Sequence, residues 1–299
     1  MKTARYRLAA EDITIIAISA IVALVMLVVT LYPIYYCLIY SLNEGIDARA
    51  GNLYLIPRKF TLRNYEIVFG RAGLLRSFLV TIARTVTGTL MGTLVTAMTA
   101  YALTKKRLVF RKFYSVLGIV TLYFSGGLIP FYLVLRMLGL LDSFWVYILP
   151  NVFVYFHALL FMAFFRELPT AIEESARIDG AGDFTIFSRI ILPLSKPVVA
   201  TIALFVGVGH WNDWFMPAFF VTDEKLMTLP VILMKLMNET QALERVREYQ
   251  QGHFGPLVTV TPASVRYATL IVTVLPITMI YPFVQKYFIK GIMIGSVKA

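Results

Sequence analysis

Glu174-Ser175-Ala176-Arg177-Ile178-Asp179-Gly180, with Ile190-Ile191-Leu192-Pro193 following after a gap of nine residues, forms a polar island between long apolar runs. Thr170 with Glu173 three residues on makes a capping box, which predicts a short helix because the two side chains satisfy free amide donors at a helix start. Asp179-Gly180 predicts its end, since glycine takes the left-handed conformation common just past a helix. Ile186, Phe187, Ile190 and Ile191 then recur at helical spacing from about Asp183, and predict a second short helix that Pro193 stops. The expectation is a compact helix-turn-helix lying outside a bilayer.

Outward from this island, composition places the chain in a membrane. Of 299 residues, 59% are hydrophobic and 15% charged, against roughly a quarter charged in soluble domains. Six stretches, 13–40, 74–103, 113–136, 144–165, 198–221 and 265–287, are long enough to cross a hydrocarbon core, which takes about 20 helical residues. The predicted fold class is therefore an all-α integral membrane protein. It has one domain over 1–299 with six transmembrane helices, a polar loop at 166–197 and a tail at 288–299. The first apolar run is too long for a cleaved signal peptide and lacks a clear small-residue cleavage site.

Positive charge flanking spans stays cytoplasmic. Lys2, Arg5 and Arg7 precede the first span, Lys105, Lys106, Arg107, Arg111 and Lys112 follow the second, and Lys286, Lys290 and Lys298 close the chain. Both termini and the 166–197 loop are thus predicted inside, and segments 43–73 and 222–264 outside. The net charge of +11 reads as topology and attraction to membrane lipids. No basic and aromatic patch sits on a soluble domain, so nucleic acid is a poor partner.

Catalytic chemistry is not expected. Cys37 is alone inside the first span, and His157, His210 and His253 lack zinc-ligand spacing. The chain has no His-Glu-x-x-His, no Gly-x-Ser-x-Gly and no phosphate-binding Gly-x-x-x-x-Gly-Lys-Ser/Thr. No bound cofactor, no metal and no ATP hydrolysis are predicted for this chain itself.

The island at Glu174 resembles the signature of the permease subunits of bacterial ABC importers: Glu-Ala-Ala, three residues, Gly, nine residues, then Ile-x-Leu-Pro. Ser175 stands where the family usually has alanine. In that family the loop is a coupling helix docked in a cleft of the ATPase subunit. The resemblance assigns ATPase coupling to Glu173, Glu174, Ser175, Ala176, Asp179, Gly180 and Ala181, the small ones allowing close backbone approach. Phe60-Thr61-Leu62-Arg63-Asn64-Tyr65 looks like the Thr-Leu-x-Asn-Tyr segment of maltose-related permeases, and 291–299 looks like the maltose-type tail that reaches the ATPase dimer interface. Within the group the chain looks closest to permeases for complex oligosaccharides and polysaccharides, including alginate importers.

Such a resemblance implies a type I ABC-importer fold in the bacterial plasma membrane. It also implies a second related permease, two ATPase subunits that carry ATP and Mg, and an extracytoplasmic sugar-binding protein.

Polar residues at membrane depth are costly unless they face water or a partner. Asn151 and His157 fall in the fourth span and Trp211-Asn212-Asp213-Trp214 in the fifth, an aromatic and polar set suited to sugar or to an interfacial belt. Arg84 lies about nine residues into the second span, in register with a small-residue stripe at Gly88, Gly92, Thr96 and Ala100 that suits internal helix packing. Facing inward, its guanidinium would match a carboxylated sugar such as an alginate fragment, or pair with Asp213. Arg84, Asn151, His157, Trp211, Asn212, Asp213 and Trp214 are the candidate substrate pathway. Gly126-Gly127 and Pro130 predict a bend in the third span. An ion-coupled secondary sugar transporter is the alternative. It would call for acidic relays and inverted repeats, and Asp213 is the only carboxylate placed within a span.

Overall fold

A computed structural model describes residues 10–70, 73–249 and 260–296. The described residues are helical with no strand, apart from one isolated bridge between Asn43 and Phe60. Two compact units emerge: Met1–Gly70 with Leu236–Val272, and Arg71–Lys235 with Thr273–Ala299.

The first unit contains α1 (Ala10–Ser41), α2 (Gly45–Arg49) and α3 (Arg63–Gly70). Most of α1 is unburied, with Ile15, Leu24 and Val29 more than half exposed, as a lipid-facing helix would be. Only its end is packed: Tyr40 lies 4.6 Å from the Tyr267 ring, and the Tyr35 hydroxyl donates to the Leu55 carbonyl at 2.6 Å. The Phe60 to Tyr65 motif acts here. Fully buried Asn64 donates to the carbonyls of Ser41 (2.7 Å) and Asn43 (2.9 Å), and the Tyr65 and Ser41 hydroxyls share a 2.7 Å bond. This clasp satisfies the end of α1 and fixes the following loop against it.

In the second unit α4 (Leu74–Thr104) is the central rod. It packs against α11 (Lys196–Asn212) and α7 (Tyr155–Glu167). The small-residue stripe makes this possible: a β-carbon at Gly88 would come within 2.3 Å of the His210 ring, and one at Gly92 within 3.3 Å of Val206. The stripe is therefore internal packing between α4 and α11, as its spacing predicts. Tyr101, Phe161, Phe165, Phe187 and Ile202 form a core under one end of α4.

The interruptions decide how the spans differ from prediction. Among the described residues three helices, Asp12–Ser41, Leu74–Thr104 and Pro262–Met279, are long and apolar enough to cross a membrane; counting each of two bent pairs as one span raises that to five. The predicted 113–136 span is divided into α5 (Arg111–Tyr123) and α6 (Leu128–Met137), with non-helical backbone at 124–127. Pro130 falls in the first turn of α6, where its missing N–H is no loss, so the two glycines make the break. The predicted 144–165 span enters through two 3-10 turns before α7, bent by 49°. The predicted 198–221 span stops at Asn212 and resumes as α12 (Phe215–Phe220). Beyond it lie α13 (Leu229–Tyr249) and α14 (Pro262–Ser296), the latter continuing past 287.

Candidate functional site

The polar island folds as α8 (Thr170–Ile178), then α9 (Asp183–Ile186), a π turn (Phe187–Ile191) and α10 (Leu192–Leu194). The capping box does not form. Pro169 occupies the N-cap position, no side-chain cap bond is made, and Glu173 turns instead to Lys105, 68 residues away in the chain. The predicted C-terminus does form. Gly180 sits at φ +81°, and the N–H groups of Ala181 and Gly180 donate to the carbonyls of Ala176 (2.9 Å) and Arg177 (3.0 Å), a Schellman closure.

The second helix ends one residue past Pro193, at Leu194. The rod Asp183–Leu194 carries the proline near its end, and the π turn just before it widens the backbone where the ring would strike the preceding turn. An 86° bend then separates this rod from α11.

The seven coupling candidates divide by direction. Glu174, Ser175, Asp179 and Gly180 are exposed, as are Ile178 (87%) and Phe184 (68%), which sequence reading passed over. Glu173, Ala176 and Ala181 are half-buried, and the two alanines pack on the aromatic core beneath. Ile178 and Phe184 could have been found as large apolar residues off the buried helical stripe.

A second cluster surrounds the break after α11. The Arg84 guanidinium is 1% exposed and donates to the Asp213 carboxylate at 2.5 Å and to the Asp213 carbonyl at 3.1 Å. It also lies 4.4 Å from the centre of the Tyr147 ring. The other Asp213 oxygen accepts from the N–H groups of Phe215 (2.9 Å) and Met216 (3.1 Å), capping α12. One carboxylate therefore ends one half-span, starts the next and neutralises a buried arginine. Of the two expected partners for Arg84, the structure supplies Asp213.

The remaining candidates scatter around this cluster. Trp211 is buried, and its ring N–H donates to the Thr273 carbonyl at 3.0 Å. Asn212 and Trp214 are exposed, Trp214 lying edge-on to Phe215. Asn151 is exposed at the end of a 3-10 turn, and His157 stacks on Phe205 at 6.2 Å. The breaks in the 113–136 and 198–221 spans meet at an open cavity of about 500 Å³ lined by Gly126, Gly127, Leu128, Phe131, Val134 and Phe215, among others. Non-helical backbone at membrane depth is tolerated where it lines such a cavity or is buried in protein. Among the described residues no cluster of His, Cys, Asp or Glu could hold a metal ion.

Residues 88–294 match the family described as binding-protein-dependent transport system inner membrane component. The chain is 37% identical over 270 residues to protein LplC of Bacillus subtilis strain 168, covering 90% of each. It is 33% identical over 273 residues to that organism's polygalacturonan/rhamnogalacturonan transport system permease protein YtcP, covering 90% of this chain and 93% of the relative. A crystal structure of a bacterial ABC transporter involved in the import of the acidic polysaccharide alginate contains a chain that superposes with a TM-score of 0.84 at 27% identity. That superposition covers 94% of this chain and 99% of the other.

Proposed function

We propose, on the premise that this chain belongs to the family of binding-protein-dependent transport system inner membrane components, that its cargo is an acidic oligosaccharide. The chain is a permease of a sugar-importing ABC transporter and a multi-pass component of the inner membrane. It is a transport subunit; ATP is hydrolysed on a separate subunit.

The observation that carries the acidic cargo is likeness over nearly the whole chain to a polygalacturonan/rhamnogalacturonan transport permease and to a transporter involved in the import of the acidic polysaccharide alginate. Arg84 does not carry it, because Asp213 already neutralises that charge. The pathway is proposed instead along the broken spans, with Asn151, Asn212 and Trp214 exposed to sugar and Phe131 and Phe215 walling the cavity. His157, Trp211, Arg84 and Asp213 hold the helices that present them. Discontinuous helices near the bilayer midplane serve transporters in this way, since freed backbone groups can meet polar cargo. An ion-coupled carrier draws no support, because its expected carboxylate relay is spent on Arg84.

The proposed assembly has six spans with both termini inside, a second related permease, an external sugar-binding protein, and two ATPases with ATP and Mg. The ATPases grip the exposed face of α8. Closure of the ATPase pair would bias the permease toward one access state as a rigid-body shift.

The test is ATP hydrolysis by the reconstituted complex with its binding protein. Uronate oligosaccharides should stimulate it, and neutral oligosaccharides of equal length should not. Stimulation by neutral sugars alone would remove the acidic cargo and leave the permease assignment standing.

A further inference from the structure

We propose that Lys105 is the positioning residue that fixes the coupling element to α4, so that α4, α8 and α9 move as one body during transport; this rests on the ABC permease reading. Lys105 follows the last residue of α4. Its ammonium donates to both carboxylate oxygens of Glu173, at 2.5 Å to Oε1, and stands 3.8 Å from the centre of the Tyr101 ring. Tyr101 in turn packs on Phe165 of α7 at 6.2 Å and on Phe187 of the π turn at 5.4 Å. One cation thus sits where the rod, a neighbouring span and the coupling element converge.

Burial separates this pair from an ordinary surface contact. The Lys105 and Glu173 side chains are 17% and 22% exposed, whereas Arg107 and Asp183, which also pair, are both more than half exposed. Exposed pairs contribute little because water and salt screen them, while a half-buried pair backed by an aromatic face keeps more of its attraction. Asp183 is shared with Arg177 at 3.0 Å, and Arg111 donates to the Leu103 carbonyl at 2.8 Å, closing the basic loop over the end of α4.

The consequence concerns transmission. Between Leu74 and Thr104 the rod is unbroken and seated on α11 through Gly88 and Gly92. Arg84 and Lys105 are therefore about 31 Å apart along one helix, at 1.5 Å per residue. One holds Asp213 at the broken span and the other holds Glu173 in the coupling element. A shift of α8 imposed by a partner reaches the Asp213 break with no hinge between.

The experiment uses the complete transporter in vesicles, with Cys37→Ser and the partners' cysteines removed. Lys105→Cys with Glu173→Cys should assemble but transport less sugar per ATP hydrolysed. Joining the two cysteines with a short, reducible bifunctional methanethiosulfonate should restore that ratio. If instead the tether stops uptake and reduction releases it, the two elements move apart during the cycle and the proposal fails.

As a second measurement, Lys105→Glu should lower the sugar moved per ATP hydrolysed below that of the wild type. Lys105→Glu with Glu173→Lys should recover it, and Arg107→Gln should change it less than Lys105→Glu does. Wild-type coupling in Lys105→Glu would overturn the proposal. Should that variant fail to assemble, the tether still decides. Failure of the wild-type complex to take up any sugar on ATP addition would overturn the permease reading instead.

Discussion

At the scale of single residues, the exposed face of α8 and the buried pair at Asp213 make opposite predictions. Glu174 and Gly180 are exposed and support no core, so Glu174→Lys or Gly180→Asp should leave the protein in the membrane at normal amounts while abolishing ATP-driven uptake. Charge reversal repels a docked surface, and a β-carbon at φ +81° costs about 1–2 kcal/mol, enough to reshape the turn. Normal uptake by either variant in vesicles would contradict this. Asp213→Ala should instead destabilise the fold by about 3–5 kcal/mol, because it strands a buried guanidinium, and a thermal melt of the purified protein reads that loss. The exposure of Glu174 and the left-handed turn at Gly180 are legible because both are local, set by the polar run and by glycine's backbone freedom. Glu173 was not, because its local spacing spelled a capping box while its partner lies 68 residues away. Arg84 was half legible, since the cost of burying it demanded a counter-charge without saying whether cargo or Asp213 would supply it.

At the scale of elements, glycine and proline shape helix ends in different ways. Gly180 closes α8 and Gly126-Gly127 split a predicted span, whereas Pro193 follows a π turn one residue before its rod ends and Pro130 lies in the first turn of α6. Proline only removes a donor and fills space, and the preceding turn can widen to accept it. The α4 to α11 contact has a sharper test. Gly88→Val should cost about 1–3 kcal/mol, as overpacking does, because His210 occupies the space. A melting temperature equal to that of wild type would show that α11 can retreat.

Asp142 gives a pH prediction at the same scale. Bonds from the backbone N–H groups of Thr222 and then Asp223, and from the Thr222 hydroxyl, hold its carboxyl below the usual carboxylate range. A depressed folded-state pKa means the contribution is complete above the unfolded value of about 3.9 and is lost as pH falls through the folded value. Thermal stability should therefore drop in that acid window for wild type and drop less for Asp142→Asn.

At the scale of the whole chain, composition and the long apolar runs are enough for an all-helical membrane protein, because burial in lipid demands long apolar helices whatever their packing. They were not enough to show which spans are broken. Breaks depend on backbone partners such as Asp213 capping α12, and those partners become visible only once helices from distant segments are packed together. The tail is where this scale makes its own prediction. The last apolar span predicted from sequence runs over 265–287, yet α14 continues as helix to Ser296, adding nine residues or about 13 Å at 1.5 Å per residue; residues 297–299 lie outside the described residues. A frayed end would not sustain two further turns, whereas a helix carried past the headgroups can reach a subunit docked on the membrane face. Deleting 291–299 should therefore weaken co-purification of the ATPase subunits, or raise ATP hydrolysis without uptake, while leaving sugar binding by the external protein unchanged. Wild-type assembly and transport in the truncated complex would show that the extra turns have no partner.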